Sequence, residues 1–187
     1  MKARLGQLWS RISAFARRED GSIAVETVVI IPALFWTYLA MYAIFDSYRQ
    51  QSVNQKIAFT IGDIISRETT PLDDNYITGM RDLLKYMANK SSNSDVTLRV
   101  TVVRWDEDDD RHYLDWSKEI GAKQPLTQSN VLALKDRLPV MVNTERLILV
   151  ETYVNYDPPF NTGLQERVIE NFVFTRPRYA PQVLFSN

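Results

Sequence analysis

Between Ser22 and Phe45 the chain reads SIAVETVVIIPALFWTYLAMYAIF, a run in which Glu26 is the only carboxylate and no base occurs. Wound as a helix at about 1.5 Å per residue, this run is roughly 36 Å long, enough to cross a hydrocarbon core of about 30 Å. A segment so long and so apolar exceeds what the core of one ordinary domain asks of a helix, and 187 residues suffice for one such domain plus an appendage. The expected organisation is therefore a leader over residues 1–21, a transmembrane helix over 22–45 and an external domain over 46–187. Upstream of the run, Lys2, Arg4, Arg11, Arg17 and Arg18 outnumber Glu19 and Asp20. That excess of bases places the leader in the cytoplasm. Trp36, Tyr38 and Tyr42 fall in the distal half of the run, where a belt of aromatics meets the far interface. A secretory signal peptide shares the basic start, but its apolar stretch is shorter and ends in a small-x-small cleavage pattern that is missing here.

Composition removes several function classes. The 22 Lys and Arg against 23 Asp and Glu leave a net charge of −1, which offers no basic surface for nucleic acid. With no cysteine in the chain, disulfides, thiol nucleophiles and thiolate zinc sites are excluded. Six glycines leave little room for a phosphate-cradling loop. His112 is the single histidine, no G-x-S-x-G accompanies it, and it is expected at the surface. The acids Asp106 to Asp110 fail as a calcium loop, because Arg111 stands at the sixth position and Ser117 at the twelfth. They read as a solvated hairpin tip. No catalytic residue, cofactor, metal site or small-molecule substrate is expected, and the chain does not read as an enzyme.

The carboxylate in the apolar run needs its own account. An acid near the bilayer core costs on the order of 2.5 kcal/mol unless it is paired or protonated. A cut after Gly21 would make Ser22 the new N-terminus and Glu26 the fifth residue. Four residues apart, the two share one helix face about 6 Å apart along the axis. The new α-ammonium, with a reference pKa of about 7.7 to 8.0, could then neutralise Glu26 within the chain or on an adjacent subunit. Glycine suits such a cut because it lets a protease approach closely, and it is expected to break the helix there. The plainer alternative is that Gly21 merely starts the helix and Glu26, one turn inside, reaches the headgroups.

The pattern of a short basic leader, Gly21, Glu26 and an apolar helix resembles the processing site of type IV prepilins and pseudopilins. More narrowly, GSIAVETVVIIPALF is similar to the opening of the TadE-like and TadG-like pseudopilins, minor pilins of the tight-adherence (Tad/Flp, type IVb) pilus system, in which the glycine, Val-Glu and a downstream proline recur at this spacing. The likeness is specific over residues 21–35 and looser along the rest of the helix and at TRPRYAPQV. Thr27 stands where those proteins usually carry an aromatic. The resemblance implies cleavage by a prepilin peptidase between Gly21 and Ser22, Glu26 as the assembly residue, and a role in pilus biogenesis, adhesion or secretion. It implies as partners the inner-membrane lipid, other pilin or pseudopilin subunits and the Tad assembly platform. It implies a single-pass protein of the bacterial inner membrane with a periplasmic C-terminal domain, open to incorporation in the pilus. The alternative is an uncleaved single-span receptor or adaptor whose external domain binds a ligand.

Past the membrane run the helical pattern continues. Val53, Ile57, Ile61, Ile64 and Ile65 recur at steps of three and four, with Asn54, Gln55, Lys56, Asp63 and Arg67 elsewhere. A second helix is expected over Pro71–Lys90, closed by the polar break KSSNSD. The period then drops to two. VTLRVTVV over 96–103 alternates as a half-buried strand does, ERLILVETYVNY over 145–156 and RVIENFVFT over 167–175 are rich in β-branched and aromatic residues, a short strand is expected near His112–Trp116, and a helix near Gln128–Arg137 ends before Pro139. The expected fold class is α+β: a long N-terminal helix continuing into an external domain with an antiparallel sheet of three or four strands.

Overall fold

A computed structural model describes residues 19–186, with side chains from Val25 onward; residues 1–18 of the expected leader over 1–21 lie outside the described residues. The first helix, α1, runs unbroken over Glu19–Ser66, 48 residues. The break expected at Gly21 is absent: a helical glycine costs only about 1 kcal/mol against alanine, which a helix of this length carries. Pro32 also lies inside the helix. The described residues divide into two compact units. One holds α1 up to Asp46 with the loop Pro158–Leu164, and the other holds Ser47–Asp157 and the chain from Gln165 on.

The second unit is built on a four-stranded antiparallel sheet of order β2-β1-β3-β4, with β1 Val96–Asp106, β2 Arg111–Ile120, β3 Arg146–Tyr156 and β4 Arg167–Thr175. Helix α2, Asp74–Met87, starts where the Asp73 carboxylate accepts from the Tyr76 N–H at 2.7 Å. That cap satisfies one of the donors a helix start leaves open, and it sets the start three residues inside the expected span. A short helix α3, Gln128–Ala133, and a 3-10 turn, Lys135–Arg137, occupy the expected 128–137 helix. The chain is thus α+β.

Both faces of the sheet are covered. On one, Val96, Leu98, Val100 and Val102 of β1 join Ile57, Ile61 and Ile65 of α1 and Ile77 and Leu84 of α2 in a single core. On the other, Val103, Leu147 and Leu149 pack with Val131 and Met141 from the segment between β2 and β3. This second layer overturns the half-buried reading of β1: Thr97 and Thr101, at its polar positions, are buried, and Thr101 Oγ1 lies 2.8 Å from Ser117 Oγ on β2. Strand β2 extends four residues beyond the expected Trp116, its pairing running on to Leu98↔Ile120. As an edge strand of mixed polarity it carries little alternation to announce it.

The α1 stripe packs on the chain's own sheet, with one correction. Asn54 is only 1% exposed, and its amide atoms meet no hydrogen-bond partner among the described residues. It belongs to the inner stripe with Ser47, Ala58 and Ile61, all buried. The C-terminal segment closes the domain. Leu72 N–H donates to the Leu184 carbonyl and Ser186 N–H to that of Leu72, each at 2.8 Å, Trp116 Nε1 donates to the Val183 carbonyl at 2.8 Å, and Arg178 N–H caps the Ser66 carbonyl at 2.7 Å.

Candidate functional site

Helix α1 carries the processing and assembly residues expected from the sequence. Gly21 and Ser22 lie on it as backbone, and Glu26 follows on the same helix with its side chain exposed. An unbroken helix keeps Ser22 and Glu26 four residues apart on one face, about 6 Å along the axis. Around and beyond them the surface is apolar on all sides: Val28, Ile31, Leu34, Phe35, Met41 and Phe45 are each at least 59% exposed. The helix is long and apolar enough to cross a membrane, with a mean hydropathy of 2.0 over its best window. An apolar helix surface so largely exposed is of the kind that lipid or other helices cover.

Within the second unit, three polar features stand out. Arg99 and Glu151 face each other across β1 and β3, with Arg99 Nε donating to Glu151 Oε2 at 2.6 Å and Nη2 to Oε1 at 2.7 Å. Nη2 also donates to Tyr153 Oη at 3.0 Å, and Nη1 to the Gln124 carbonyl at 2.9 Å. The side chains are 12% and 9% exposed. Burial and the Glu151 carboxylate push the Tyr153 hydroxyl up to about 12. Four of the five N–H donors of this guanidinium are engaged within the fold, which makes it a fastening between strands and the loop after β2. The sequence showed both charges on strands, but only the register brings them face to face.

The acidic run forms the β1–β2 turn, as expected of a hairpin tip, and Asp110 takes a left-handed φ of 49° there. Asp109 accepts from Tyr113 Oη and from Arg111 Nη2, and the tyrosine hydrogen bond above all holds its carboxyl below the usual range. No group of three or more potential metal ligands occurs among the described residues.

His112 is not at the surface. It is 3% exposed, its ring centroid lies 4.6 Å from that of Trp105, and neither ring nitrogen has a hydrogen-bond partner among the described residues. The residue borders an open cleft of about 590 Å³ with Trp105, Lys135, Pro139, Val140 and Met141. Its burial was hidden because His112 stands just after five consecutive acids and Arg111, in a stretch that reads as solvated. Desolvation lowers its pKa from 6.5, helped by Lys135, while Asp110 acts weakly the other way. Below pH 6.5 the unfolded chain therefore binds a proton that the folded chain refuses. Stability is full above that value and falls with pH down to the folded pKa, with a slope of at most about 1.4 kcal/mol per pH unit. His112→Phe, which keeps the aromatic contact with Trp105, should flatten this slope between pH 5 and 6.5 in urea unfolding. An unchanged slope would assign the acid sensitivity to the carboxylates.

No family model matches the chain, and no curated protein or solved structure matches it.

Proposed function

We propose that the chain is a pseudopilin-like minor subunit or assembly factor of a Tad-type pilus, anchored in the bacterial inner membrane with its α+β domain in the periplasm and processed between Gly21 and Ser22. The observation that carries this reading is the apolar helix surface with one acid placed one turn from a glycine, continuous with a folded domain. After cleavage the carboxylate of Glu26 and the α-ammonium of an adjacent subunit attract each other in a medium that penalises charge, so docking in register is favoured. Other pilin-like subunits and the assembly platform are the partners, and the prepilin peptidase makes the cut. Glu26 contributes specificity more than stability.

The test has two arms. Mass spectrometry of the protein from cells with an active prepilin peptidase should give Ser22 as the first residue, and Gly21→Leu should leave the full-length precursor. Glu26→Ala should be expressed, inserted and cut, yet fail to co-purify with pilin-like subunits, and Glu26→Asp should be intermediate because its reach is shorter. An intact N-terminus in such cells would favour the uncleaved single-span receptor. Wild-type assembly by Glu26→Ala would return that residue to the plainer role of an acid near the headgroups.

A further inference from the structure

The smaller compact unit joins two stretches far apart in sequence, α1 up to Asp46 and the β3–β4 loop Pro158–Leu164. Their meeting point is aromatic. The Phe160 ring lies edge-on to that of Tyr42, with centroids 5.8 Å apart and planes at 64°. The loop reads PPFNTGL, without a charge, between Asp157 and Glu166. Phe160 is 40% exposed despite its contact with Tyr42.

Helix geometry gives the depth of this contact. Twenty residues separate Ser22 from Tyr42, which is about 30 Å of helix, the thickness of the hydrocarbon core. If Ser22 marks the inner boundary, Tyr42 marks the outer one, three residues before the end of the apolar run. The loop beside Tyr42 cannot go deeper. Its backbone is irregular, with Thr162 N–H to the Phe160 carbonyl at 2.9 Å as its internal hydrogen bond, and irregular backbone is not tolerated against hydrocarbon. The headgroup layer is different: water and lipid oxygens serve the free carbonyls there, and aromatic rings are favoured.

We propose that the Pro158–Leu164 loop is a second membrane contact, with Phe160 inserted in the lipid headgroup layer beside Tyr42 so that loop and helix together fix the outer end of the span. The proposal rests on the reading that α1 crosses the bilayer. The occupant is a lipid surface: an uncharged, proline-stiffened loop with an outward aromatic continues the apolar surface of α1 at the level where that surface ends.

The absence of cysteine makes the test direct. Single nitroxide labels at Ile31→Cys and Asn161→Cys in the full-length chain, reconstituted in phosphatidylcholine and phosphatidylglycerol vesicles, are compared by collision with oxygen and with a water-soluble nickel chelate. The Ile31 label should be shielded from the chelate at mid-span. The Asn161 label should report partial shielding, within about 10 Å of the boundary between headgroups and acyl chains. Adding Phe160→Asp should restore chelate access at Asn161 several-fold and leave Ile31 unchanged. A shielded Ile31 with a fully aqueous Asn161 overturns the loop contact and leaves the span standing. A chelate-accessible Ile31 overturns both.

Discussion

Ile57→Asp should abolish cooperative folding of the external domain. Ile57 is 1% exposed on the face of α1 that packs against Val100 and Val150 of the sheet. Truncating a buried isoleucine costs about 2 to 5 kcal/mol, and the aspartate adds an unpaired charge in an apolar layer. Domains of this kind have about 5 to 15 kcal/mol in total. Ile57→Val, which removes one methylene, should cost only about 0.5 to 1.5 kcal/mol, and the exposed neighbour Lys56→Asp should stay within about 0.5 kcal/mol of the parent. Urea unfolding of the three variants, followed by tryptophan fluorescence, reads the series. Equal stability of Ile57→Asp and the parent would mean that the stripe faces solvent or a partner subunit. The same packing implies that a piece beginning at Asp46 folds by itself, while one beginning after Thr70 lacks the helix stripe that covers one face of the sheet and does not.

The second large effect is at the ion pair in the sheet. Glu151→Leu leaves the Arg99 guanidinium, 12% exposed, without its carboxylate and should lose about 3 to 5 kcal/mol. Most of that loss is the stranded charge, because a buried pair balances its attraction against desolvation. Arg99→Met together with Glu151→Leu should therefore recover most of the stability, an apolar pair of similar volume being often neutral or better in such a place. The double-mutant cycle is the readout. Additive losses would show that the two side chains act separately and that the carbonyl of Gln124 and the hydroxyl of Tyr153 hold Arg99 in place.

The elements were legible in the sequence where local periodicity is strong. The step of three and four from Val53 to Ile65 announced the helix stripe that now sits against the sheet, and RVIENFVFT marked β4 to the residue, because one covered face imposes its period on the side chains that must cover it. The long apolar run needed only its length and the scarcity of charge, both of which are properties of the chain alone. Tertiary structure decided what depends on a partner distant in sequence. Asn54 is buried in step with Ala58 and Ile61, where its polarity hid it from the pattern, and His112 is buried against Trp105 of the neighbouring strand. Arg99 meets Glu151 only through the β1–β3 register, and a slip of one residue would send them to opposite faces. Thr97 and Thr101 read as the solvent-facing positions of a half-buried strand, yet both are buried, Thr97 accepting from the Ala122 N–H after β2 and Thr101 lying against Ser117 of β2, while Val131 and Met141 add a second apolar layer. The contact of Tyr42 with Phe160 joins residues more than a hundred positions apart. Local pattern specifies which face of an element seeks cover, and only the closed chain determines what supplies it.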